Sequence, residues 1–307
     1  GVGSLGQHHA RIYADLPLAH LVAVVDRDAA RAATIAARHG ATPLTDVRDL
    51  PGDLDAVSVA VPTVAHAGVT ETCLARGLAV LVEKPMATTL REAEGMARAA
   101  ARAERPLLVG HTERFNPVVR AVLPRVRHPR FIEAHRLGVF TARSTDVDVV
   151  LDLMIHDLDV ILSMVSSPLA AVDAVGVNAL TDKVDIANAR LRFENGCVAN
   201  VTASRISTER VRKLRIFEPD SYISLDYAGQ AAVSYTLRKG ATGEKEIARE
   251  ELAVEPEEPL RAELRAFLGR VAGEPAPAVT GEEGIRALRV AAQVLSQLGG
   301  PPEASGA

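Results

Sequence analysis

Four nearly unbroken apolar runs constrain this chain more than any other feature: "LVAVVD" (21–26), "DAVSVAVP" (55–62), "AVLVEKP" (79–85) and "PLLVGHT" (106–112). A strand apolar on both sides must be covered on both sides. The segments between the runs supply the cover. "AARAATIAARHG" reads as a helix closed by Gly40, a second helix spans about 66–76, and "TLREAEGMARAAARAE" is a third. Helices alternating with such strands predict an α/β domain with a parallel sheet. Ligands of such sheets bind at the carboxyl ends of the strands.

After "RFNP" (114–117) the rhythm changes. One helix is expected over about 147–165, and then period-2 patterns dominate. "DIANARLRF" and "GCVANVTAS" flank Asn195-Gly196, a strong hairpin turn because both residues tolerate positive φ. "KLRIF" and "SYISLDY" continue the alternation, and helices over about 258–272 and 281–297 precede a loose tail. The expectation is a parallel α/β domain over 1–113, followed by a strand-rich α+β domain over 114–307.

Composition narrows the function classes. A net charge of −4 and a pI near 6.2 give no general electrostatic grip on nucleic acid or an anionic membrane. Aromatics are 3% with no Trp, so the core must be built from Ala, Val, Leu and Ile. Cys73 and Cys197 sit in apolar segments outside any C-x-x-C, which reads as reduced thiols in a cytoplasmic protein. No apolar stretch is long enough to span a bilayer, and no charged-then-apolar leader is seen.

The chain opens on "GVGSLG". In a dinucleotide loop Gly1 permits the tight turn, Gly3 lets backbone approach a pyrophosphate, and Gly6 allows close helix packing. Ser4 and Leu5 complete the loop, and the helix behind them would point N–H groups at the phosphates. Asp26 ends an apolar strand at the distance where an acidic group binds the adenosine ribose. Its charge favours NAD over NADP, and Arg27 beside it pulls the other way. A structural turn remains an alternative for the loop alone, as does a turn role for Asp26. The strand that should deliver the chain into this loop is expected ahead of Gly1; as given, the sheet lacks a central member.

Lys84 lies between an apolar strand and a proline at the sheet's carboxyl edge. Its ammonium could polarise a substrate hydroxyl or carbonyl, or simply pair with Glu83. In "LDLMIHDLDVIL", Asp152, His156 and Asp159 stand at i, i+4 and i+7, on one helical face. That pattern suits a histidine proton acceptor oriented by a carboxylate. A metal site is the competing chemistry; no third and fourth ligands stand at metal spacing, so none is expected. "RISTERVRKLRIF" carries Arg205 and four further cations, which read as a charged strand face or a diphosphate contact.

"GVGSLGQHHA", "VVD", "VPTVAH", "EKPMA", "GHTERFNP" and "DLMIHDLD" together resemble the glucose–fructose oxidoreductase / inositol dehydrogenase (Gfo/Idh/MocA) family along nearly the whole chain. The resemblance implies a dinucleotide-binding Rossmann domain over 1–113, an α+β domain with a large, mostly antiparallel open sheet over 114–307, and a catalytic site lined by Lys84, Asp152 and His156. Pro62, Thr63 and His66 would then lie beside the nicotinamide ribose, with Glu83 nearby. His111, Arg114, Asn116, Asp159 and Arg205 are expected to face substrate. His111 stands where the family often has an aromatic residue, and Met154 replaces a frequent glycine.

The resemblance is strongest to the branch that oxidises the 3-hydroxyl of UDP-N-acetylglucosamine during lipid A synthesis. It implies an NAD-dependent sugar dehydrogenase that assembles as a homo-oligomer through the second domain's sheet. An inositol, a hexose or another nucleotide sugar stays open as substrate. A non-catalytic, cofactor-binding regulator is the alternative from a different class.

Overall fold

In a computed structural model, residues 1–141, 147–240 and 244–298 are described. They form two compact units: Gly1–Phe115 with Glu257–Ile285, and Asn116–Pro256 with the described residues from Arg286 on.

The first unit runs α1 (Gly6–Asp15), β1 (Ala23–Val25), α2 (Ala29–His39), β2 (Thr42–Leu44), β3 (Ala56–Val59), α3 (His66–Ala75), β4 (Ala79–Glu83), α4 (Leu90–Ala103) and β5 (Leu107–Gly110). Each expected apolar run holds a strand. With β2, which lies outside those runs, they form two parallel ladders, β1–β2 and β3–β4–β5. β4 is buried at every residue, as its composition requires. Local chemistry sets the helix ends. The Asp28 carboxylate accepts the Arg31 N–H at 3.0 Å to start α2, and Gly40 at φ +68° closes it. Thr89 and Glu92 cap α4 reciprocally.

The second unit contains α5 (Pro117–Val122), β6 (Phe131–Leu137), a π-helical turn (Val150–Met154) and α6 (Ile155–Met164). Strands β7 (Leu169–Val177), β8 (Ile186–Phe193), β9 (Val198–Ser204), β10 (Val211–Phe217), β11 (Ser221–Asp226), β12 (Ala231–Lys239) and β13 (Lys245–Glu251) follow. The eight strands are ordered β13-β12-β11-β10-β6-β9-β8-β7, and every pair except β6–β9 is antiparallel. The large, mostly antiparallel sheet is therefore as expected, with Gly196 (φ +82°) in the β8–β9 turn.

One face of this sheet is lined by buried small residues, among them Ala134, Ala187, Ala189, Ala199 and Ala203, against α5, α6 and the later part of α8 (Gly281–Gln297). The other face carries a stacked row: Phe131, Phe217, Tyr222 and Tyr235, with successive centroids 5.6, 4.9 and 5.8 Å apart. Six Phe and four Tyr are all the aromatics the chain has. Four of them therefore lie half-buried in one cross-strand row.

Two features depart from the sequence pattern. The expected single helix over 147–165 opens as the π turn, so α-helical spacing does not apply across it. α7 (Pro259–Val271), which chain order assigns to the second domain, packs instead in the first unit. Leu260, Leu264 and Phe267 share a core with Ile12, Leu81 and Leu108. Arg11 pairs with Glu258, and Arg261 with Asp15, at the edge of that core. Phe267→Ala should therefore destabilise the first unit by about 3–5 kcal/mol. Faster amide exchange at Leu81 and Leu108, with β8 and β9 unaffected, would check this.

Candidate functional site

The glycine loop meets Asp26 directly. The Val2 N–H donates to Asp26 Oδ2 at 2.9 Å and the Asp28 N–H to Oδ1 at 3.0 Å, with Arg31 Nη1 at 3.2 Å. Asp26 is 9% exposed. Burial works against its ionised form, but the two backbone N–H donors and Arg31 outweigh it, and the carboxyl is held below its ordinary pKa.

Glycine is needed at two loop positions by close approach. A Cβ on Gly1 would lie 2.8 Å from the Ala60 carbonyl oxygen, and one on Gly6 only 2.0 Å from that of Gly1. Around Gly3, by contrast, a Cβ would meet nothing within 4 Å. α1 starts with no side-chain cap, so its first turn is open toward a ligand. A cavity of about 1710 Å³ adjoins the loop and is lined by Gly1, Gly3, Ser4, Asp26, Arg27 and Pro62, among others. Leu5, Thr63, His66 and Glu83 lie outside that lining. The open backbone at Gly3, the uncapped helix and a buried anionic carboxylate at the strand end fit a dinucleotide.

A second cluster forms at the carboxyl ends of β4 and β5. His9 on α1 donates from Nε2 to Glu83 Oε1 at 2.9 Å, and the Lys84 N–H reaches Glu83 Oε2 at 3.2 Å. Gly110 makes room for this carboxylate, since a Cβ there would lie 2.9 Å from the Glu83 carboxyl carbon. His66 has both ring nitrogens 2.9 Å from carbonyl oxygens, Nδ1 from Pro85 and Nε2 from Val61, and burial pushes its pKa down. It thus ties the "VPTVAH" turn to "EKPMA".

His111 is 1% exposed and its Nδ1 has no hydrogen-bond partner. Burial, with the nearby Lys84 and Arg114 cations, pushes its pKa down to about 3. Arg114 pairs with Glu283 at 2.8 Å. Lys84 is half-buried.

In the second unit, Asp152 lies within the π turn and His156 is the second residue of α6. Asp159 is buried and His156 half-buried. The start of the turn is pinned: Val149 N–H donates to the Val184 carbonyl, and Val184 N–H to Asp148 Oδ1, both at 3.0 Å. Arg205 is buried; its guanidinium donates to the Val147 carbonyl and lies 3.9 Å from Asp185. Asn116 caps α5 through the Val118 N–H and donates to the Tyr227 carbonyl at 3.1 Å. Of the other basic residues beyond Arg205, Arg215 pairs with Glu133 at 2.7 Å, while Arg210, Arg212 and Lys213 are exposed.

One buried pair has no counterpart in the sequence reading. Arg136 on β6 grips Asp157 on α6, Nε to Oδ2 at 2.7 Å and Nη2 to Oδ1 at 3.0 Å. The Ile132-x-Ala134-x-Arg136 alternation, which puts an arginine on the apolar side of a strand, is the signal that marks it. Among the described residues no three His, Cys, Asp or Glu side chains are grouped as a metal site.

Residues 1–111 match an oxidoreductase family with an NAD-binding Rossmann fold, and 119–218 match the Gfo/Idh/MocA C-terminal domain. The chain is similar to UDP-N-acetylglucosamine 3-dehydrogenase of Acidithiobacillus ferrooxidans, 37% identical over 96% of this chain and 94% of that one. A solved structure of that enzyme superposes with a TM-score of 0.90 at 36% identity, covering 97% and 95% of the two chains. Inositol 2-dehydrogenase of Rhizobium meliloti is 26% identical over 95% of this chain and 93% of its own.

The His111 environment makes a prediction about acid stability. The unfolded chain takes up a proton near the ordinary histidine value of 6.5, whereas the folded chain does so only near 3. Stability should therefore fall as pH drops below about 6.5 and stop falling through this group near 3. His111 ring resonances should not move between pH about 8 and about 4, and His111→Gln should flatten the acid limb of stability.

Proposed function

The chain belongs to the Gfo/Idh/MocA oxidoreductase family, and from that premise we propose that it oxidises the 3-hydroxyl of a UDP-N-acetylhexosamine, UDP-N-acetylglucosamine first. The observation that carries this reading is the full-length similarity to an enzyme of that name. The glycine loop, Asp26 and Pro62 would hold NAD, with Thr63, His66 and Glu83 behind them. Bound there, the nicotinamide supplies the hydride acceptor. His156 takes the hydroxyl proton as the ring C–H is oxidised, leaving a ketone. Lys84 stabilises the oxygen's developing negative charge, where a fixed cation contributes most. Asp152 orients His156 or an adjacent sugar hydroxyl. His111, buried and neutral beside Lys84, leaves the ammonium as the cation of that cluster. His111, Arg114 and Asp159 are assigned to the substrate side; Asn116 would act through its cap and its tie to Tyr227, and Arg205 through its hold on the Val147 carbonyl.

The 3-keto product suits amination toward a lipid A precursor, and two buried, unbridged cysteines suit a cytoplasmic setting. No described helix is long and apolar enough to cross a membrane. The aromatic row on the open face of the second unit's sheet supports homo-oligomerisation there.

Lys84→Ala and His156→Ala should each lower kcat by at least about 100-fold while NADH binding, followed by fluorescence, persists. NADH formation should require the UDP group across a sugar panel. Equal turnover of free N-acetylglucosamine or an inositol would overturn the substrate assignment. Phe217→Asp should reduce the oligomer mass seen by light scattering.

A further inference from the structure

We infer that Arg136 is a positioning residue that sets the register of the helix carrying His156, through its grip on Asp157. The inference rests on the reading of His156 as the proton acceptor.

Arg136 and Asp157 are 3% and 1% exposed, and the bidentate contact uses both carboxylate oxygens. The Arg136 guanidinium also lies over the Tyr227 ring, 5.0 Å from its centroid, and the Tyr227 carbonyl holds Asn116. A buried ion pair is a poor way to gain stability, because well-packed apolar residues of similar size do as well or better. Two parallel N–H···O bonds instead fix direction, which an apolar contact does not.

α6 needs such direction. It meets the sheet through Ile155, Leu158, Ile161 and Leu162 against alanine-rich strands, a surface on which a helix can turn or slide. It also emerges from a π turn, one residue out of step with a regular helix. The turn is anchored upstream by Val184 and Arg205. Asp157, three residues past its end, is the downstream anchor. Held at both ends, the turn cannot relax into α-helix, and the offset between Asp152 and His156 is kept.

The test uses the full chain. Arg136→Met combined with Asp157→Leu removes both charges and strands neither. Its thermal midpoint and NADH affinity should stay near those of the parent, while kcat falls by about 100-fold, a misplacement effect. KM for the UDP-sugar should change by no more than about threefold, and the pH profile of kcat should shift. Arg136→Lys keeps the charge but loses the bidentate fork, and should also turn over slowly. If the double variant does not fold, this variant decides.

A kcat within about threefold of the parent overturns the inference. Independently of turnover, amide exchange across 150–156 should rise about tenfold in the double variant with β8 and β9 unchanged; unchanged exchange there also overturns it. His156→Ala is measured alongside. Retained turnover in that variant removes the proton-acceptor reading, whereas lost turnover there with a fast double variant removes only the positioning role.

Discussion

The buried carboxylate of Glu83 is the contact on which the first unit's site depends. It closes β4, a strand with no exposed residue, so its charge must be met inside the protein. His9 meets it from α1 and the Lys84 backbone from the chain just after it, while Gly110 on β5 leaves the space. One anion thereby ties the helix behind the glycine loop to the strand end that presents Lys84. The Val2–Asp26 bond does the same for β1. The glycine loop and the lysine are thus fixed to the sheet by buried charge.

The second unit solves a similar problem by opposite means. Its inner face is apolar and rich in alanine, which brings helices close to the sheet but gives them little directional hold. Among its buried polar groups, Arg136, Asp157, Asp185 and Arg205 are each nine-tenths or more buried and each engaged with a partner. Asp185 accepts backbone N–H groups from Ala179, Leu180 and Thr181, which overcome the effect of burial and hold its pKa down. Asp157 lies just past the π turn, and Arg205 holds the Val147 carbonyl just ahead of it.

What could be read from the residues follows from how local the cause is. Parallel strands covered on both sides are continuous apolar runs, so β1, β3, β4 and β5 were legible in place. The Asn195-Gly196 turn was legible because its backbone needs positive φ at Gly196. β2 was not: it is three residues with a proline at its centre, and its pairing to β1 makes it a strand. The π turn was hidden because apolar periodicity does not separate it from an α-helix start. Arg136 was hidden because its meaning lies in Asp157, on another element. Of the candidate site residues, Asp26 accepts the Val2 N–H of the glycine loop, and Asn116 and Arg205 donate to backbone carbonyls of other segments.

The sequence by itself determined the two-part architecture, four of the five strands of the parallel ladders, the glycine loop with its acidic partner, and the family. Each depends on residues near one another in the chain or on a motif read in order. Only the tertiary structure decided that α7 packs in the first unit, that the helix bearing His156 begins with a π turn, and that His111 is a neutral, buried ring. It also decided which arginine meets which carboxylate. Those outcomes depend on burial and on contacts between distant segments. A buried charge selects its partner by what the packed core brings within reach.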